Sequence, residues 1–131
     1  MSSARDDGMD LLRRMIPDLA AHDSDDLTIG EGFATALGEQ SLETVFGRLW
    51  VRPGLDLRAR SLVTLGILIA LRADSELRIH FPTALRNGLT REELEEVVFH
   101  SAAYAGFPAA ALAGAVGREV LDPAPPEAPT A

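Results

Sequence analysis

The sequence predicts an all-α fold, and three observations point to this class. Apolar residues recur at helical rather than alternating spacing along several segments. Turn-forming Pro, Gly and Asn residues separate these segments. Aromatic residues make up only 5% of the chain, so we expect a core of packed aliphatic side chains. With 131 residues, the chain has room for one domain.

We expect that domain to cover residues 31–121. Residues 1–30 are predicted to be an N-terminal extension with a short helix over Met9–Ala21, weakened in its second half by Pro17. The first eight residues are polar and are expected to fray. Residues 122–131 hold four prolines and are predicted to be a disordered Pro/Ala-rich tail.

The domain itself is predicted to begin with a helix over Phe33–Trp50, which the Pro53-Gly54 turn stops. The next helix is expected from about residue 57 to about residue 72. Asp74 is a candidate N-cap for the helix that follows. Pro82 lies well beyond the first turn of that helix, so we expect a kink or a break there.

Local signals define the last two helices most clearly. Asn87-Gly88 closes the preceding helix with a residue suited to left-handed geometry. Thr90-Arg91-Glu92-Glu93 has the pattern of a capping box that begins a new helix, and Gly106 ends it. Pro108 suits the first turn of a last helix that reaches Val120 or Leu121. In all, about six helices are predicted.

Charge and composition restrict the function. The formal net charge of -8 argues against nucleic-acid binding, because no basic cluster faces phosphates. No apolar run reaches the roughly 18 residues that a membrane span needs. The N-terminus does not resemble a secretory signal, so we expect a cytoplasmic protein.

Two residue types are missing from the sequence. There is no cysteine, which excludes disulfides, thiol nucleophiles and cysteine-ligated zinc. There is also no lysine, since all 12 basic residues are arginine. This excludes Schiff-base chemistry on a lysine. Any chemistry must use His, Tyr, carboxylates, hydroxyls or arginine as a fixed cation, and two histidines with scattered carboxylates do not predict a metal site.

The motifs of the second half resemble the carboxymuconolactone decarboxylase family over about residues 46–121. The segments that carry the resemblance are Trp50–Leu55, Arg60–Leu62, Glu76–His80, Asn87–Glu93 and Tyr104–Pro108. The resemblance implies an AhpD-like helical fold that assembles into trimeric or hexameric rings, with active sites near subunit interfaces. It also implies a decarboxylase that needs no cofactor and acts on a small molecule through an enolate intermediate. The thiol peroxidases of the same superfamily use two cysteines, and this chain has Ala73 and Glu76 in their places.

The resemblance makes His80 the leading acid/base, with Glu76 one helical turn before it and within reach of its imidazole. The alternative for His80 is a buried, hydrogen-bonded helix histidine, and for Glu76 an ordinary first-turn carboxylate. Tyr104 is either an oxyanion donor near a helix end or a packed interface residue.

Four further residues are candidates for substrate binding. Arg60 and Arg78 could hold carboxylates with their forked donors, although surface ion pairing is the simpler interpretation for Arg78. Trp50 is predicted to be core or pocket wall. His100 is more simply a surface or interface residue.

Two departures from the family pattern leave the substrate open. Residues Ala109–Ala115 are entirely apolar where family decarboxylases carry a polar segment, and Phe46-Gly47-Arg48 replaces a Trp-Gly-Glu sequence. One alternative is therefore a tailoring cyclase, isomerase or decarboxylase that acts on a more apolar aromatic or polyketide metabolite. Another is a non-catalytic oligomeric binding protein that keeps the fold.

Overall fold

The computed structural model describes residues 1–20 and 32–123, and every regular element within them is helical. This confirms the predicted all-α class. The helices are α1 (Ala4–Met15), α2 (Pro17–Ala20), α3 (Ala36–Ser41, continued as a π-helix over Leu42–Leu49), α4 (Leu57–Ala70), α5 (Asp74–Arg86), α6 (Arg91–Ala105) and α7 (Phe107–Leu121). With α3 and its continuation taken as one helix, six helices of the described chain are longer than the single turn of α2.

The described chain forms two compact units, Met1–Leu57 and Arg58–Ala131. The boundary predicted between residues 30 and 31 lies outside the described residues. The same holds for residues 124–131 of the predicted tail.

In the first unit, the N-terminus is helical where fraying was expected. Ser3 caps α1: its Oγ accepts a hydrogen bond from the backbone N of Asp6 at 3.1 Å, and the Asp6 carboxylate accepts one from the backbone N of Ser3 at 3.2 Å. This reciprocal pair satisfies two of the amide groups that a helix start leaves open. The prediction that residues 1–8 fray was therefore wrong, and α1 ends at Met15, just before Pro17.

Two glycines allow α1 to pack closely against the π-helix. A Cβ atom on Gly8 would clash with the carbonyl of Leu42, and one on Gly47 would clash with the carbonyl of Ala4. The sequence predicted an α-helix through this region. The structure instead has a π-helix after Ser41, and its i→i+5 pattern extends to a hydrogen bond from Trp50 N to Val45 O at 2.9 Å.

In the second unit, α4 to α7 surround an aliphatic core that includes only one aromatic side chain, Phe81. The buried core residues are Leu65, Ile69, Leu77, Phe81, Ala84, Leu89, Leu94, Ala109, Ala113 and Val116. Core packing explains why the break predicted at Pro82 is absent and α5 continues to Arg86. Leu77, Phe81 and Ala84 are buried on both sides of the proline, so tertiary contacts offset the hydrogen bond that proline cannot donate.

The helix boundaries of this unit follow local signals, with one exception. Thr90 and Glu93 form the predicted capping box, with distances of 3.0 and 3.1 Å. Gly88 and Gly106 have φ values of 100° and 97°, which only glycine adopts easily. Asp74 was predicted to cap α5 but is its first helical residue, and Ala73 holds the N-cap position without a side-chain hydrogen bond.

The second unit exposes apolar side chains along one stripe of α4 and at Leu71, which directly follows it. Val63, Ile67 and Leu71 are spaced one turn apart and are 53%, 53% and 70% exposed. The opposite side of α4 places Leu65 and Ile69 in the core. Among the described helices, none combines the length and apolar character needed to cross a membrane.

Candidate functional site

Glu76 and His80 lie on adjacent turns of α5, as their i,i+4 spacing predicts. The Oε2 atom of Glu76 is 3.8 Å from Nε2 of His80. His80 is buried, with 8% of its surface exposed, whereas Glu76 is exposed at the start of the helix. The structure thus pairs a buried imidazole with a carboxylate that water reaches.

Burial governs the protonation of His80. The loss of solvent lowers the pKa of its imidazole below the ordinary value of 6.5, and the nearby Glu76 carboxylate partly opposes this by favouring the charged form. The free protein therefore holds His80 mainly as the neutral imidazole at pH 7. Any anion bound beside it would raise its pKa by the same Coulombic effect as Glu76.

A line of polar residues continues along the same face of α5. Positions 76, 80, 83 and 87 share one helical stripe. Thr83 is fully buried and donates from Oγ1 to the carbonyl of Ile79 at 2.8 Å. Asn87 donates from Nδ2 to Oγ of the buried Ser61 at 2.9 Å, which joins the end of α5 to α4. Thr83 was not predicted as part of this face, although the i, i+4, i+7 spacing of polar residues from Glu76 indicates it. The bond between Ser61 and Asn87 joins two helices, so no single segment predicts it.

Arg60 lies on α4, next to Ser61. It is half-buried, and its Nε atom is inaccessible to water. A partly buried guanidinium retains a stronger interaction with a carboxylate than one at the surface. Arg60 thus has an environment suited to holding an anion.

Arg78, the other candidate arginine, is held in two ion pairs. Its Nη1 is 3.1 Å from Oδ2 of Asp74 on the same helix, and its Nε is 2.9 Å from Oε2 of Glu119 on α7. Its side chain is also offset from Glu76 and His80 around α5. These contacts favour the structural interpretation of Arg78.

His100 and Tyr104 stack on each other along α6. Their ring centroids are 5.1 Å apart, and the planes meet at 28°. Both residues are exposed, and Tyr104 retains 84% of its accessible surface. In the single chain, this pair faces solvent.

Trp50 belongs to the first unit, whereas the other candidate residues belong to the second. It is 5% exposed and stacks on Phe46, with ring centroids 6.4 Å apart. This contact gives Trp50 a packing role in the unit that contains it.

The second unit also contains a cavity of about 480 Å³ between α5, α6 and α7. Phe81, Leu94 and Val98 form part of its apolar wall, and Gly114 and Gly117 of α7 complete it. None of the residues predicted for catalysis or substrate binding lines this cavity. No single segment of the sequence indicates this cavity, because its wall combines three helices.

Within residues 1–20 and 32–123, no three His, Asp or Glu side chains come together in a way that would hold a metal ion. The described polar contacts of the second unit include the His80 pair, the Asn87–Ser61 bond and surface ion pairs.

Comparison with known proteins places this sequence in a family. The sequence profile of the carboxymuconolactone decarboxylase family matches residues 36–119. A 4-carboxymuconolactone decarboxylase from Acinetobacter baylyi is 44% identical over 76 residues, which cover 58% of this chain and 57% of the relative. A nitrosuccinic acid decarboxylase from Metarhizium robertsii is 41% identical over 80 residues, which cover 61% of this chain and 56% of the relative.

A third relative, an uncharacterized 15.0 kDa protein from Paracoccus denitrificans, is 30% identical over 97 residues and is matched over 72% of each chain. The chain spans somewhat more than half the length of the two named decarboxylases. The profile match covers α3 to α7 almost completely and includes the Glu76–His80 pair. The protein is a member of the carboxymuconolactone decarboxylase family.

Proposed function

We propose that the protein is a decarboxylase that acts without a cofactor, with His80 as its acid/base and Glu76 as the carboxylate partner of His80. The observation that carries this proposal is the 3.8 Å pairing of a buried histidine with an exposed glutamate inside the segment that matches the family. The names of the two decarboxylase relatives support the reaction type.

The substrate class follows from the chemistry that these two names share. In carboxymuconolactone, the electrons left by CO2 can enter a conjugated lactone carbonyl, and in nitrosuccinic acid they can enter a nitro group. Each substrate is its own electron acceptor, so no metal or organic cofactor is needed for this step. We expect a small polycarboxylic acid with an acceptor conjugated or adjacent to the carbon that loses CO2.

The reaction needs a proton at that carbon. The C–C bond to the carboxylate breaks, CO2 leaves, and the electron pair is delocalised as an enolate or a similar anion. A proton from the His80 imidazolium then forms the new C–H bond. The anionic substrate raises the pKa of His80 on binding, which opposes the effect of burial, and Glu76 can pass a replacement proton from solvent.

Further residues are proposed to bind the carboxylates of the substrate and the developing charge. Arg60 suits a carboxylate because it is half-buried on the helix that Asn87 joins to α5. Tyr104 and His100 are exposed in the single subunit, so they can enclose a substrate only if another subunit covers them. Trp50 packs on Phe46 within the first unit, and the ion pairs of Arg78 favour a structural role.

A homo-oligomer is part of this proposal. Large apolar side chains are exposed on the second unit, which is costly for a monomer in water. They include the α4 stripe and two aromatic residues, Phe99 at 72% and Phe107 at 79% exposure. A trimer or hexamer that covers these side chains would also bring Tyr104 to an interface.

The apolar start of α7 does not favour a more apolar substrate. Ala109, Ala110 and Ala113 are buried, at 1%, 6% and 0% exposure, so packing accounts for their character. A tailoring enzyme and a non-catalytic binding protein remain the alternatives.

The direct test is turnover by the purified protein. Carboxymuconolactone is followed by its ultraviolet absorbance and nitrosuccinate by release of CO2, with the His80→Gln protein as the matched control. Consumption of one of these substrates, with release of one CO2 for each molecule consumed, supports the proposal. Binding of a substrate without CO2 release would instead indicate the binding protein.

A further inference from the structure

The cavity between α5, α6 and α7 has the properties of a small-molecule site. Its volume of about 480 Å³ falls in the usual range for ligand pockets, roughly 300–1,000 Å³. Its wall is mainly apolar, and charged side chains lie at its edge, where α6 begins and α7 ends. This division into an apolar interior and a few polar groups is typical of ligand sites.

The two glycines of α7 keep the cavity open at a cost to the helix. Glycine inside a helix is less favourable than alanine by about 0.5–1 kcal/mol. A Cβ atom on Gly114 would meet nothing within 4 Å, and one on Gly117 would meet only the Phe81 ring at 3.7 Å, an ordinary contact. Close packing therefore does not explain why glycine is present at either position. Larger residues there would fill the cavity.

The charges at the edge favour one anionic group on the ligand. Arg91 pairs with Asp122 and lies 3.7 Å from Glu95. Arg118 also lines the cavity and is exposed, and the bond from Arg91, together with the charge of Arg118, lowers the pKa of the Asp122 carboxyl. Arg91 makes the salt bridge to Asp122, so the exposed Arg118 can hold one carboxylate, whereas a second carboxylate would meet Glu95 and Asp122.

We propose that this cavity binds an apolar monocarboxylic acid, with its hydrocarbon body against Phe81, Leu94 and Val98 and its carboxylate on Arg118. The site goes beyond the proposed decarboxylation, because none of the residues assigned to that chemistry lines it. Its ligand class also differs from the polycarboxylic acids expected there. The two sites can be tested separately.

The experiment titrates the full chain with naphthalene-1-acetate and with the uncharged naphthalene-1-acetamide in a calorimeter. The wild type should bind the acid in the millimolar range or tighter. Gly114→Leu should abolish this binding by filling the cavity, while Ala111→Leu, an exposed position on the same helix, should leave it unchanged. Circular dichroism should show that both variants stay helical, since leucine is a strong helix former.

The charge is tested with Arg118→Gln. This variant should bind the acid about ten-fold more weakly or worse, because a charge-assisted hydrogen bond is lost, and should bind the amide as the wild type does. His80→Gln should bind the acid normally, so failure of the decarboxylation proposal would not affect this result. No binding to the wild type, or undiminished binding to Gly114→Leu, would overturn the site. An equal effect of Arg118→Gln on acid and amide would overturn the carboxylate assignment.

Discussion

The Oε2 atom of Glu76 lies 3.8 Å from Nε2 of His80, yet the two residues have opposite surroundings. The glutamate side chain is 57% exposed, and the histidine side chain is 10% exposed. A buried imidazole can protonate a carbanion away from water, and an exposed carboxylate can exchange protons with solvent. In the proposed mechanism, this difference in exposure sets the direction of proton transfer, from solvent through Glu76 to His80.

The first prediction concerns the pKa of His80. It should lie below 6.5 in the free protein, because burial disfavours the imidazolium, and Glu76→Gln should lower it further by removing a favourable charge. Two-dimensional NMR of the imidazole nitrogens across a pH titration measures both values. Glu96 is exposed on α6, so Glu96→Gln serves as the control for the loss of one negative charge. A His80 pKa at or above 6.5 in the wild type would contradict the argument from burial.

The same shift predicts how stability depends on pH. The unfolded state takes up a proton near pH 6.5, whereas the folded state takes it up only at lower pH. Between these values the unfolded state binds more protons, so the free energy of unfolding should fall as the pH drops from 6.5 through the folded pKa. Urea unfolding of the wild type and His80→Gln at several pH values tests this. The variant should show a weaker dependence in that window, and identical slopes would argue against a buried neutral imidazole.

Much of the second unit could be predicted because its signals are local. The capping box of Thr90 and Glu93 depends on four consecutive residues, and the turns at Gly88 and Gly106 depend on one φ angle each. The Glu76–His80 pair follows from helical spacing alone. For these features, the sequence neighbours are also the structural neighbours.

The unbroken helix at Pro82, the π-helix and the cavity could not be predicted from local signals. The break expected at Pro82 is prevented by packing on both sides of it, which no local rule includes. The π-helix over Leu42–Leu49 has no distinctive composition. The cavity arises where three helices meet, so no single segment indicates it. By contrast, Ser3 and Asp6 have the spacing of a capping box. This local signal indicates a helix at the polar N-terminus.

The close approach of α1 to the π-helix predicts a sensitive glycine. Gly47→Ala should destabilise the protein by about 1–3 kcal/mol, because the added methyl group would clash with the backbone carbonyl of Ala4, which cannot move as a side chain can. Gly54→Ala is the matched control, since a Cβ atom there meets nothing within 4 Å. Denaturant unfolding compares the two. Equal stability of both variants would show that α1 does not pack in this way.

The ion pairs of Arg78 predict a modest and salt-dependent effect. Arg78→Gln should lower the melting temperature slightly at low salt, because contacts with Asp74 and Glu119 are lost, and the difference should shrink in high salt as exposed charges are screened. Thermal unfolding in both buffers measures this. The KM for the substrate should stay close to that of the wild type. A large rise in KM would instead assign Arg78 to substrate binding.

The central claim is that His80 delivers the proton in a decarboxylation, and turnover by His80→Gln tests it most directly. The amide of glutamine keeps hydrogen bonding but cannot donate a proton to a carbanion. On the substrate that the wild type decarboxylates, we predict that kcat falls by roughly 100- to 10,000-fold, while KM and the melting temperature stay near their wild-type values. Near-wild-type kcat in His80→Gln would contradict the claim and make Tyr104 the next candidate for the proton donor.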